Sequence, residues 1–111
     1  MDLYDLVCLE DGWMEGIGKA PSQEIIEIIR RIILYLRDNL SIRDNPSLQP
    51  KEDGSIIIYW KRVKLYCLIM GDLTFTIDSI SKTKISLLNI DNDIVLVCNN
   101  IAKHFQFHVL Y

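Results

Sequence analysis

Between Gln23 and Leu40 the apolar residues Ile25, Ile28, Ile29, Ile32, Ile33, Leu36 and Leu40 recur at intervals of mostly three and four. No other feature narrows the fold so far, because this spacing gathers them on one side of an α-helix, whereas a strand turns alternate residues to the same face. Isoleucine is slightly unfavourable in helices, its branched Cβ restricting χ1, but here the period outweighs the propensity. Pro21-Ser22 supplies the start, with the Ser22 hydroxyl placed to accept a free backbone N–H and Glu24 in the positive first turn. Glu27 stands four residues before Arg31, an orientation worth about 0.3 kcal/mol on a solvent-facing side. A helix with one broad apolar face needs a second layer to cover it.

The remainder of the chain reads as that layer. Ser41 to Gly54 carries Asn45-Pro46, Pro50 and Asp53-Gly54, and predicts a connection that ends in a turn. Ser55 to Trp60 predicts a first strand, with Ile56, Ile58 and Trp60 on one face and Ile57 and Tyr59 on the other. Lys61-Arg62 then marks a tight turn into Val63 to Met70, and Gly71-Asp72 a turn into Leu73 to Asp78. Further strands are expected at Lys84 to Asn89, Asp93 to Cys98 and His104 to Leu110, the last alternating Phe105, Phe107 and Val109 against His104, Gln106 and His108. The first nine residues read as a short strand or an ordered arm. Together these predict an α+β fold with one N-terminal amphipathic helix packed on an antiparallel sheet of five to six strands, since a parallel sheet would need crossover helices. The 111 residues fit a single domain spanning 1–111.

Motifs that carry chemistry are sparse. Cys8, Cys67 and Cys98 lie far apart with no C-x-x-C spacing, and they read as reduced core residues, which suits a reducing cytoplasm. His104 and His108 are four apart, but on a strand their Cα atoms would be separated by roughly 13 Å, too far for one metal ion. The glycines of DGWMEGIG lack the Lys-Ser/Thr of a phosphate-binding loop, and the segment is acidic where a phosphate needs positive potential. Gly12, Gly16 and Gly18 are instead expected to shape a turn, with Trp13 as an anchor on the core. No Gly-x-Ser-x-Gly elbow is present. Lys61, Arg62 and Lys64 sit beside Tyr59, Trp60 and Tyr66, an interleaving that can bind single strands, although hairpin tips are commonly charged simply to stay solvated. The expectation is a protein that is not an enzyme and carries no cofactor and no metal.

Charge is distributed unevenly. The net charge is −3, yet five of the fifteen acids, Asp2, Asp5, Glu10, Asp11 and Glu15, fall in the first eighteen residues, where none of the twelve bases does. Such an acidic segment opposes direct nucleic-acid binding and suits a basic partner. The Met-Asp start lacks the bases of a secretory signal, and no apolar stretch approaches the roughly 18–20 residues of a membrane span. A cytoplasmic location without membrane contact is expected.

Two stretches, Gly12-Trp13-Met14-Glu15-Gly16 through Ala20-Pro21-Ser22, and Pro50-Lys51-Glu52-Asp53-Gly54-Ser55-Ile56 through Trp60, resemble a recurring pattern in small bacterial proteins. In that pattern a Gly-Trp loop and Ala-Pro-Ser precede a helix, and an Asp-Gly turn with a strand ending in Trp follows it. The resemblance covers about the first two thirds of the chain. The chain also looks like an immunity protein of a bacterial polymorphic-toxin or contact-dependent inhibition system. That likeness implies a cytoplasmic, non-enzymatic antitoxin that neutralises a cognate toxin, a basic nuclease domain, by stoichiometric binding. An adaptor or regulatory subunit that adds a strand to an exposed sheet edge is the alternative. The partner-binding residues expected on charge and on the preference of interfaces for aromatic anchors are Asp2, Tyr4, Asp5, Glu10, Asp11, Trp13 and Glu15.

Overall fold

The apolar stripe at residues 23–40 is helical, and Ser22 caps it by accepting a hydrogen bond from the Ile25 N–H at 3.2 Å. The computed structural model describes residues 2–78 and 82–110, with side chains through Gln106. Its elements in order are α1 (Leu3–Val7), α2 (Gln23–Leu40), β1 (Ser47–Pro50), β2 (Ile56–Trp60), β3 (Leu65–Ile69), β4 (Thr74–Asp78), β5 (Thr83–Ser86) and α3 (Ile90–Leu110). The five strands form an antiparallel meander in chain order, β1-β2-β3-β4-β5. The architecture is the expected α+β class, an amphipathic helix on an antiparallel sheet, with five strands and two further helices.

Three segments depart from the sequence reading. The first nine residues hold α1, a short helix stabilised by a capping box in which Asp2 and Asp5 each accept a backbone N–H from the other. β1 lies inside the segment expected to be a connection. Pro50 signals a loop, but β1 is an edge strand, where a residue without an N–H is tolerated, and Pro50 pairs with Ile56. The strands expected at Asp93–Cys98 and His104–Leu110 are replaced by α3. Its buried residues Ile94, Val97, Cys98, Ile101, Ala102 and Phe105 repeat at intervals of three and one, the signature of one helix face.

The core follows from register. Leu48, Ile58, Cys67 and Ile77 form one row across β1 to β4, and Ile56, Ile69, Phe75 and Ile85 form the next across β2 to β5. These residues join the buried faces of α2 and α3 and Leu6 of α1 in a single apolar cluster. Ile25, Ile28, Ile29, Ile32 and Leu36 are each at most 2% exposed, and each such side chain contributes roughly 1.5–3 kcal/mol by leaving water. α3 is fastened beside α2 by the Cys98 thiol, which donates to the Ile32 carbonyl at 3.7 Å, and by an Arg31–Asp91 ion pair. Glu27 therefore pairs with Arg30, three residues on, and not with Arg31. Trp60 closes one end of the cluster with its ring edge-on to Phe105 at 6.4 Å, and its buried Nε1 has no hydrogen-bond partner among the described residues.

Among the described residues no helix is long and apolar enough to cross a membrane. Both open edges of the sheet, β1 and β5, are four residues long. Short edges of this kind limit edge-to-edge pairing.

Candidate functional site

The acidic segment builds the most distinctive surface of the molecule. From Gly12 to Gly18 the chain forms a miniature hairpin: the Gly12 N–H donates to the Gly18 carbonyl at 2.7 Å, and Met14 and Ile17 exchange backbone hydrogen bonds of 2.7 and 2.9 Å. The two-residue tip is Glu15-Gly16, with φ of 51° and 90°, as a type I′ turn requires and as its glycine permits. Trp13 braces the hairpin. Its Nε1 donates to the Lys19 carbonyl at 3.1 Å, and the indole lies against Gly18.

One hydrogen bond closes the base of the hairpin and another anchors it to the rest of the fold. The Asp11 carboxylate accepts from the Ala20 N–H at 2.9 Å, and the Lys19 N–H donates to the Glu52 carbonyl in the β1–β2 turn at 2.7 Å. That turn is itself fixed by the Asp53 carboxylate, which accepts from both the N–H and the hydroxyl of Ser55. These bonds, led by the one from the Ser55 hydroxyl, hold the Asp53 carboxyl below its ordinary range.

The seven residues expected at the interface are placed in different ways. Asp2, Asp5 and Asp11 are exposed but use their carboxylates to cap α1 and to hold Ala20, so part of the acidity serves local structure. Glu10 and Glu15 are exposed and take part in no ion pair among the described residues. Tyr4 is 75% exposed on α1. Trp13 is half-buried within its own loop and is not a core anchor. Sequence reasoning missed Val7, Met14 and Ile17, which join Tyr4 as four of the eight large hydrophobic side chains exposed among the described residues. Met14 and Ile17 flank Glu-Gly, the second residue of which is a type I′ signal, and that dipeptide could have revealed them.

The remaining candidates change in different ways. Cys67 and Cys98 are buried, and burial pushes the Cys67 thiol strongly up and the Cys98 thiol to about 12, leaving both inert. Cys8 is exposed, contrary to its reading as a core residue, because it follows α1 on the side away from Leu6. His104 and His108 lie four apart on α3, so the strand spacing that separated them does not apply. No group of three potential metal ligands occurs among the described residues. Arg62, from the basic cluster, is held by Asp44 through two hydrogen bonds of 2.7 and 2.9 Å and lies over the Phe105 ring at 5.0 Å. Comparison of the chain with protein-family models, curated proteins and solved structures finds no match.

Proposed function

We propose that the chain is an immunity protein, an antitoxin that acts in the cytoplasm without turnover and neutralises a bacterial toxin with a basic nuclease domain by stoichiometric binding. The observation that carries this reading is the company the exposed apolar residues keep: Tyr4, Val7, Met14 and Ile17 emerge from the one stretch of chain that holds five acids and no base. Apolar anchors ringed by charge are the composition of a protein interface, and an acidic ring complements the basic groove of an enzyme that binds nucleic acid. The braced hairpin presents two of those anchors on a fixed backbone, which lowers the entropy lost on binding.

The test begins with the protein recovered from its host together with whatever accompanies it in equal amount. That partner, expressed alone, should arrest growth, and co-expression of this chain should relieve the arrest. A partner that is harmless, or whose toxicity this chain leaves unchanged, removes the reading. Glu10→Gln with Glu15→Gln then tests the surface, because these two acids hold no backbone donor. Association should slow about threefold or more at low salt, with dissociation changing less.

A further inference from the structure

The sheet has a second face, and its composition differs from that of the helix-covered one. Register aligns Gln49, Ile57, Leu68, Thr76 and Lys84 in one row across all five strands, and Ser47, Tyr59, Tyr66 and Asp78 in the next. Neither row contributes to the central apolar cluster. Between these rows opens a cleft of about 350 Å³, lined by Ile57, Tyr66, Leu68, Thr76 and Met70 and rimmed by Lys51, Lys82 and Lys84, with Asp78 as the one acid among its described lining residues. Tyr59 and Tyr66 stack at 4.2 Å with their planes 18° apart, and Tyr66 is 51% exposed. The inner ring thus stiffens the outer one into a platform.

Charge on this face is predominantly positive, three lysines at the cleft against the single acid Asp78 among the described lining residues, and the lysines are available. All four ion pairs among the described residues use arginine, and none uses lysine. Five of the seven lysines are exposed on or beside the face: Lys51, Lys82 and Lys84 at the cleft, and Lys61 and Lys64 at the β2–β3 tip that adjoins Tyr59 and Tyr66. The five strands span about 19 Å from β1 to β5. A flat aromatic ring with uncommitted ammonium groups on either side matches a chain of stacked bases and phosphates, which needs a π-face and point charges in alternation and no fixed sequence of hydrogen bonds.

We propose that this open sheet face binds single-stranded nucleic acid, with a base extending the Tyr59–Tyr66 stack and the backbone phosphates running between Lys51 on one flank and Lys82 and Lys84 on the other. No described residue of the acidic segment lines the cleft, although its hairpin docks on the turn next to Lys51, and the inference does not depend on that segment meeting a toxin. An acidic peptide would satisfy the lysines but would leave the tyrosine platform without a stacking partner.

Fluorescence anisotropy with labelled fifteen-residue oligothymidine and oligouridine, and with polyglutamate of equal length, tests the inference on the full chain. The oligonucleotides should bind at 50 mM salt and weaken steeply as salt rises. Lys51→Gln, Lys82→Gln and Lys84→Gln together should weaken binding about tenfold or more and reduce the slope of log K against log salt by about 2. Tyr66→Ala should weaken binding about tenfold with the slope unchanged, because stacking releases no counterions. Lys103→Gln on α3 should change neither. All these side chains are exposed, and unchanged thermal unfolding would show that the variants fold. Failure of both oligonucleotides to bind, binding indifferent to the tyrosine and lysine changes, or binding of polyglutamate alone would each overturn the assignment.

Discussion

The indole of Trp13 occupies the space that a side chain on Gly18 would need: a Cβ built there would lie 3.0 Å from Nε1 and 3.1 Å from the adjacent ring carbon. Gly18 also sits at φ 102°, which L side chains rarely adopt. The glycine therefore lets the tryptophan fold back to the Lys19 carbonyl, and that bond keeps Met14 and Ile17 at the outer end of the acidic hairpin. Gly18→Ala is expected to expel the ring, red-shift the tryptophan emission and cost about 1–3 kcal/mol of local stability. An emission spectrum identical to that of the parent protein would show that the brace is not needed.

A different kind of dependence is expected on α2, where Ile29 is fully buried and Ile33, one turn on, is only partly so. Truncating Ile29 removes its transfer free energy and leaves a cavity between α2 and the sheet. Ile29→Ala should cost about 2–5 kcal/mol and Ile33→Ala clearly less, read as a shift of the urea midpoint with the slope constant. Equal costs at the two positions would mean that the helix is rotated from the orientation described.

The two long helices, α2 and α3, also show what the sequence could and could not convey. α2 was legible because cap and period agree: Ser22 fixes the start, and the isoleucines repeat along one face. α3 was not, because Phe105, Phe107 and Val109 alternate over five residues at the end of the helix, where the helical repeat from Ile94 to Phe105 gives way to a strand-like pattern. The turns at Gly71-Asp72 and Lys61-Arg62 placed the meander, whereas Pro50 concealed β1, since only the assembled sheet reveals which strand is an edge. At the surface, charge counting found the acids but not their division of labour. That Asp2, Asp5 and Asp11 hold backbone donors while Glu10 and Glu15 do not depends on a capping box and a folded loop, both of which are settled by three-dimensional contacts.

The cysteines offer a direct readout of that fold. Cys8 is exposed, whereas Cys67 and Cys98 are buried, and a thiol must ionise to react. Titration with a chromogenic disulfide at neutral pH should modify one thiol in the native protein, and all three of the chain's cysteines after denaturation. Cys8→Ser should abolish the fast phase while leaving stability within about 0.5 kcal/mol, as for other exposed sites. Rapid reaction of a second thiol in the native state would contradict the packing of Cys98 against Ile32.

Acid should loosen the β1–β2 turn, whereas changes of pH around neutrality should leave it unaffected. The carboxyl of Asp53 is lowered by accepting from the Ser55 hydroxyl and N–H, and that of Asp44 by its hydrogen bonds from Arg62. A carboxyl whose folded pKa lies below its unfolded value of about 3.9 binds its proton more readily in the unfolded chain. Its stabilisation is therefore complete above that unfolded value and is lost as pH falls through the folded one. Asp53→Ala should lower Tm by a few degrees, by a constant amount between about pH 5 and 8, and the gap should narrow below about pH 4 as the parent protein loses the same charge. The turn carries the Glu52 carbonyl that holds Lys19, so the variant should also weaken the hairpin, seen as faster amide exchange at Gly12 and Met14. A Tm gap that widens in acid would mean that the Asp53 carboxyl is raised by folding and not lowered.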